Sequence, residues 1–563
     1  MTVNNPYIKE LIKDSLMSIG EEMFVALSRT SMSPIIYEVL DYACGLTDSK
    51  GNLISQGNGV TSFIGMLSPM VKSVISKFDD GKKIYEGDII IINDPYVGGG
   101  SHLSDVGLVM PIFVDGELVA FSANKGHWTD VGGKNPGSIT SDSKEIFQEG
   151  LQLPGVKLFN KNELNEDIEM IIRNNIRLPQ FSIGDMWAQV AALKTGDKRF
   201  KQLCERYNKN TVKEVLKKLI DSSEEYSLKE LKKLPKGIYT AEDYIEGDTK
   251  QGGPYKVKVK VTITDSEFIC DFRGSHKQVM SPVNCSYYGL LASVRVIFLA
   301  VLRPTFNITE GLFKPLKIIT DAGSIISANR PAPVSLNFEA RIGGAELIWK
   351  ALAPVIPDRL SAGHSASVCT VTISGKHSDT GEDFLLVEPS AGGWGASIDQ
   401  DGQNGQFCMG NGETYNVPIE VAETKYGLQI EEFKFRDDPS SLGEFIGGKG
   451  LVRSYKMLED NQTISASFGR FKYAPWGIDG GEEGSTGYIK IIRKSGEVEG
   501  PYGVLDSFGL NFGDIVQLVT PSGGAYGNFA NRDYDKIVKD IKNELYSKDL
   551  TFLDYRPDMK EKK

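Results

Sequence analysis

Ile8, Leu11, Ile12, Leu16, Ile19, Met23, Phe24 and Leu27 recur at helical spacing, with polar residues between them. The spacing predicts an opening amphipathic helix, capped by Asn5 and with Pro6 at its first helical position. The period then shortens. Residues 43–46 and 52–55 flank Asp48-Ser49-Lys50-Gly51, a hairpin signature that sets Asp41 at the entrance of a strand. The unbroken apolar run 89–92 reads as a buried strand ending in Asn93-Asp94-Pro95 and the loop Gly98-Gly99-Gly100. Segments 106–114 and 117–124 alternate as strands around Asp115-Gly116, a strong two-residue turn signal.

Helical periodicity returns over 165–177, 183–207 and 211–231, and Pro235 marks a boundary. Strand-like patterning over 239–328 is interrupted by a buried helix at 289–302, and a further helix is expected at 340–352. From 366 to 522 short strands and glycine turns dominate, and a helix over 534–546 closes the pattern. The fold class is therefore a mixed, multi-domain α+β chain. It has a helical N-terminal segment, antiparallel hairpins and a glycine-rich, β-dominated C-terminal half. The expected division is 1–235, 236–365 and 366–563.

Composition narrows the function. A chain of 563 residues exceeds one core and should form roughly three or four domains. Its net charge of −11 argues against a nucleic-acid partner, which needs a basic stripe. The lysines of 560–563 read as a solvated end, and residues 1–5 show no leader pattern. The longest apolar stretch, 289–302, carries Arg295 and is too short to span a bilayer. Cys44, Cys204, Cys270, Cys285, Cys369 and Cys408 lie far apart, as reduced thiols in a cytoplasmic protein do.

Five histidines occur, and two share a pattern: His102-Leu103-Ser104-Asp105 and His127-Trp128-Thr129-Asp130. The Asp115-Gly116 turn sets residue 127 opposite residue 104, beside both 102 and 105, within reach of converging imidazoles. Two imidazoles and a carboxylate suit Zn²⁺, Mn²⁺ or Fe²⁺. The remaining carboxylates among Asp41, Asp94, Asp105 and Asp130 are candidates to orient the imidazoles or act as general base. The same pattern also suits two loop histidines bonded to backbone. His276, His364 and His377 stand alone and read as surface or structural. The P-loop-like run Gly443–Gly450 lacks the Ser/Thr that holds Mg²⁺ and runs into a strand. Most of the glycine pairs near 392, 480 and 523 read as turns.

Longer blocks surround the two motifs. They include Asn93-Asp94-Pro95-Tyr96-Val97-Gly98-Gly99, Gly126-His127-Trp128-Thr129-Asp130-Val131-Gly132-Gly133, Glu145-Ile146-Phe147-Gln148-Glu149-Gly150 and Pro154-Gly155-Val156-Lys157-Leu158. Later blocks are Arg330-Pro331-Ala332-Pro333-Val334, Pro475-Trp476-Gly477-Ile478-Asp479-Gly480-Gly481 and Thr520-Pro521-Ser522-Gly523-Gly524. With these the chain resembles the hydantoinase B/oxoprolinase family, to which acetone carboxylase is a more distant relative. The resemblance implies a hetero-oligomer. An A-type, actin-like ATP-binding subunit activates an amide or carbonyl oxygen by phosphorylation, and the B-type chain completes the chemistry with a divalent metal. It implies Asp41, His102, Asp105 and His127 as ligands, with Asp41, Asp105 and Asp130 as catalytic carboxylates. The implied substrate is a cyclic amide (a hydantoin, lactam or 5-oxoproline), with a ketone carboxylase or a non-catalytic scaffold as alternatives. Two departures bear on substrate. Where many relatives have His-His-Ala-Asp this chain has His127-Trp128-Thr129-Asp130, and no histidine follows Gln56 in Ser55-Gln56-Gly57-Asn58-Gly59-Val60.

Overall fold

The computed structural model describes residues 6–247, 252–543 and 545. The expected cap Asn5, the tail 560–563 and Tyr546 of the closing helix lie outside the described residues. The first helix, α1, covers Pro6–Thr30, and a short turn of helix, α2, covers Pro34–Tyr37. Strands β1 (Tyr42–Asp48) and β2 (Leu53–Gly59) form the expected hairpin. Helix α3 (Thr61–Lys77) follows and was not anticipated by the periodicity. Pro69 and Gly65 stand inside it, and burial extends round much of its surface, so no polar stripe marks it.

Strands β3 (Ile89–Ile92), β4 (Asp105–Val114), β5 (Glu117–His127), β6 (Pro154–Asn160) and β7 (Glu163–Leu164) complete a seven-stranded antiparallel sheet of order β2-β1-β5-β4-β3-β6-β7. Helices α4 (Glu166–Asn175), α5 (Pro179–Tyr207) and α6 (Lys209–Lys233) come next. The sheet is covered on both faces. Ile89 and Ile91 of β3 pack with Met186, Val190 and Leu193 of α5. Ile90 and Ile92 pack with Leu67, Met70 and Val71 of α3. Strand alternation sends neighbouring residues to opposite sides, so a sheet buried twice needs four consecutive isoleucines.

Strands β8 (Gly237–Ile245), β9 (Tyr255–Ile263), β10 (Phe268–Asp271) and β11 (Leu316–Ile319) form a second sheet. Helices α7 (Tyr287–Leu302) and α8 (Asn337–Leu352) lie in this middle stretch. A Cβ at Gly65 would lie 3.0 Å from the Ala292 backbone, so α3 and α7 meet at a glycine. Arg295, inside the apolar α7, is buried against Glu310 at 2.9 Å. Among the described residues no helix is long and apolar enough to cross a membrane.

Among the described residues, the C-terminal stretch holds two further sheets and two α-helices. One sheet joins β12 (Thr370–Lys376), β13 (Asp383–Glu388), β16 (Gln462–Ser467) and β19 (Val504–Leu510). The other joins β14 (Leu428–Phe435), β15 (Leu451–Met457), β17 (Tyr488–Ile492), β18 (Val498–Tyr502) and β20 (Ile515–Val519). Helices α9 (Ile419–Tyr426) and α10 (Tyr534–Lys542) are short. The glycine pairs here correct the turn reading. A Cβ at Gly393 would lie 1.9 Å from the Gly448 carbonyl oxygen, and one at Gly523 would lie 2.0 Å from that of Trp394. These glycines let main chains touch. The P-loop-like run leads into β15, with Lys449 buried and donating to the Arg436 carbonyl. Taken together, this is the α+β architecture expected from the sequence.

Candidate metal centre

Asp115 and Gly116 both adopt positive φ, at 50° and 74°, as a tight hairpin turn requires. Val114 pairs with Glu117 and Phe113 with Leu118, as the turn dictates. A register shift then falls between Ile112 and Phe113, because Ile112 pairs with Ala120 and Val119 is the extra residue. From that bulge onward every pair moves by one, and His127 stands opposite Asp105 rather than Ser104. The correction matters. Directly opposed residues share a face, whereas Ser104 and Asp105 point to opposite faces.

Asp105 and His127 therefore share the α3 side of the sheet. His102 comes from the preceding loop, which is held by Asn93: its amide donates to the Leu103 and Leu151 carbonyls, and its oxygen accepts from Leu153 N–H. At Gly100 a Cβ would lie 2.5 Å from the His102 carbonyl oxygen, so this turn tolerates no side chain. The result is a buried triangle. Ligand atoms of His102, Asp105 and His127 all lie within 4.8 Å of one another. The two imidazole centroids are 5.0 Å apart, and His102 Nε2 is 3.2 Å from Asp105 Oδ1.

The electrostatics are those of a ligand set. Burial alone would raise the Asp105 carboxyl, but His102, Lys125 and His127 together hold it well below the usual carboxylate range. Burial and the neighbouring His102 lower His127 to about 4, so it stays a neutral base. Asp105 Oδ2 accepts from the Ser101 N–H and hydroxyl, Asp105 Oδ1 faces His102 Nε2 at 3.2 Å, and His127 Nδ1 is buried without a hydrogen-bond partner. A buried ring nitrogen left open in this way is rare, and a divalent cation would satisfy it. The donor set of two nitrogens and one carboxylate oxygen fits Zn²⁺, Mn²⁺ or Fe²⁺.

Asp41 and Asp130 fare differently. Asp41 lines the same cavity, tied to β5 through its carbonyl, which accepts from His127 N–H at 3.0 Å. Burial and the charge of Asp105 push its carboxyl up to about 7. Asp130 is not brought into the cavity. Its Oδ1 accepts from the Gly132 and Arg177 N–H groups, and its Oδ2 from Gly137 N–H, the Ser138 hydroxyl and the Arg177 guanidinium. Both oxygens are occupied, so this acid organises a loop. Asp94 likewise pairs with Arg330 at 2.7 Å and caps Tyr96 N–H. Trp128 faces the α5 side, where its indole N–H donates to Gln189 Oε1 at 2.9 Å. The side chain that replaces a family histidine points away from the triangle.

Sequence reasoning missed the far wall. Asn337, Phe338 and Arg341 of α8 line the cavity, with Thr370, Val387, Glu388 and Asn411 from the C-terminal stretch. The predicted 340–352 helix carries Arg341, Glu346 and Lys350, and its pattern did not set Arg341 apart. Of the lone histidines, His364 is fully buried, packed near-parallel to Trp349 and 3.4 Å from Glu346. All six cysteines are buried and free.

Known proteins share both the sequence and the fold. Residues 5–529 match the family model described as hydantoinase B/oxoprolinase. An uncharacterized protein of Methanocaldococcus jannaschii is 36% identical over 97% of this chain and 95% of its own length. The B-type component of a putative D-/L-hydantoinase from a Pseudomonas species is 30% identical over 98% and 95%. Among solved structures, the ATP-dependent caprolactamase of Pseudomonas jessenii superposes with a TM-score of 0.88 at 27% identity, covering 96% of this chain and 94% of that one. A family match over nearly the whole length, on a fold shared with a solved relative, settles the kinship: this chain belongs to the hydantoinase B/oxoprolinase family.

Proposed function

We propose that this chain is the metal-holding subunit of a cytoplasmic, ATP-dependent, two-component amidohydrolase that opens a cyclic amide. The observation that carries the reading is the buried triangle of His102, Asp105 and His127, with His127 Nδ1 left without a hydrogen-bond partner. Relatives named as components of a putative hydantoinase and of caprolactamase support the substrate class. The ATP-binding A-type subunit is a separate polypeptide in this scheme, which accords with a chain whose only P-loop-like run leads into a strand.

A divalent ion held by His102, Asp105 and His127, with Asp41 beside them, would supply Lewis-acid polarisation of an oxygen atom. The chain's own residues do the rest. Asp105 orients His102 at 3.2 Å, and Ser101 fixes Asp105 by two hydrogen bonds. Once the partner has phosphorylated the amide oxygen, water adds to the carbon, the C–N bond breaks as the nitrogen takes up a proton from the added water, and a second water releases phosphate from the resulting acyl phosphate. Asp41, a carboxylate once a cation is bound, is the cavity-lining group placed to take a proton from the attacking water. Phe63, Ile35, Val60 and Ile139 give the cavity its apolar lining.

The test is direct. Purified alone, the chain is expected to bind about one divalent ion and to show no ATPase. His102→Ala and His127→Ala should each lose that ion, and unchanged metal content in both sinks the site. With the A-type partner, turnover of a hydantoin or lactam in bicarbonate-free buffer supports hydrolysis. Turnover that requires bicarbonate would make the chain part of a carboxylase.

A further inference from the structure

Opposite the metal triangle, the cavity wall carries a guanidinium with no carboxylate partner among the described residues and an amide NH₂ with no acceptor. Arg341 is only 5% exposed and forms no ion pair among the described residues. Its Nε donates to Asn337 Oδ1 at 3.1 Å, and its Nη1 makes a long contact of 3.4 Å with the Ser293 hydroxyl. A guanidinium is a donor only, so the Asn337 oxygen must face it and the amide NH₂ must turn away. That Asn337 Nδ2 is buried, 1% exposed by residue, and has no hydrogen-bond partner. Both side chains line the cavity. Gly410 packs over the guanidinium, where a Cβ would lie 2.9 Å from Nη1, so Arg341 is held in place.

Charge balance singles out Arg341 on this wall. The other cavity-lining carboxylate, Glu388, is already neutralised by Arg453 at 3.1 Å and accepts from Tyr455 and Val417 N–H. With a dication on the triangle, Asp41 and Asp105 balance the ion, and the Arg341 charge is left over. A buried, unpaired guanidinium is strongly unfavourable, and an anion would pair with it.

We infer that Arg341 and Asn337 form an oxyanion subsite facing the metal triangle, which holds a phosphoryl or carboxylate group of the substrate while the amide reacts. The inference rests on the proposed function for its role, and it deepens that reading by requiring an anionic substrate or intermediate. Arg341 supplies charge and a planar fork, Asn337 the second donor, and the metal side is left free for the reacting oxygen.

The experiment is calorimetric titration of the full chain, with and without Mn²⁺, using inorganic phosphate in one arm and acetate in the other. Wild type should bind at least one of the two. Arg341→Gln and Asn337→Asp should each weaken that anion by roughly 10-fold or more, since a charge-assisted hydrogen bond is lost or reversed. Arg341→Lys, which keeps the charge, should lie between and serves where the glutamine variant does not fold. Variant-sensitive phosphate binding assigns the subsite to a phosphoryl group, and variant-sensitive acetate binding assigns it to a carboxylate. No binding of either anion to wild type, or equal affinity in wild type and folded variants, overturns the subsite. The readout needs no amide turnover. Variant-sensitive binding stands even if the complex hydrolyses nothing, whereas turnover with insensitive binding removes this subsite alone.

Discussion

The two His-x-x-Asp segments are alike in sequence and unlike in the fold. In the first, His102 and Asp105 meet at 3.2 Å, and both belong to the buried triangle. In the second, His127 joins them, but Asp130 is turned into a loop where five donors occupy its two oxygens. A motif therefore supplies candidates, and backbone geometry selects among them. Asp105 is selected because it begins a strand directly across from His127. Asp130 is excluded because the chain leaves the sheet after His127, so strand alternation no longer places its side chain.

Substitutions can break this contrast. The largest effect is expected at the triangle: Asp105→Ala or His127→Ala should lower metal affinity by more than about 100-fold, because losing a ligand exceeds the loss of an outer partner. Metal content after gel filtration checks this. Asp130→Ala should behave oppositely, keeping about one ion per folded chain while losing about 2–4 kcal/mol of stability, as its buried donors lose their acceptor. Urea unfolding measures that loss. If Asp130→Ala lost the ion and kept its stability, the contrast would be wrong.

A pH series sharpens the comparison between the two cavity acids. Asp105 is ionised throughout the ordinary range, so it adds no pH step. Asp41 holds its proton to about 7 in the metal-free chain, and a bound cation must displace that proton. Metal affinity should therefore rise as pH increases from 5 to 8. A second rise lies near 4, where His127 loses its proton. Asp41→Asn should flatten the upper rise and leave the lower one. The smallest effect is expected at Trp128→His. That position faces Gln189 on α5, so metal content should not change, while lost packing costs about 1–3 kcal/mol.

Much of this was legible in the chain, for reasons that differ by region. The alternation around Asp115-Gly116 announced the hairpin, because a two-residue turn with both φ positive has few sequence solutions. The four isoleucines of β3 announced a strand buried on both faces. Helix α3 escaped notice because contacts with both the sheet and α7 remove the polar face that periodicity detects. Glycines such as Gly393 and Gly523 looked like turns because sequence does not show which main chains will touch.

Residue types and their local spacing by themselves marked two imidazoles and a carboxylate as candidates to gather at one end of a hairpin. The longer motif blocks carried the family resemblance, and the patterning carried the α+β class. The extra residue at Val119 decided which face those groups share, since a bulge forms through pairing and carries no mark of its own in the sequence. Only the tertiary structure brought Asn337 and Arg341 to that cavity from more than 200 positions further along the chain. Contacts so distant in sequence are set by packing of whole elements, and no local pattern encodes them.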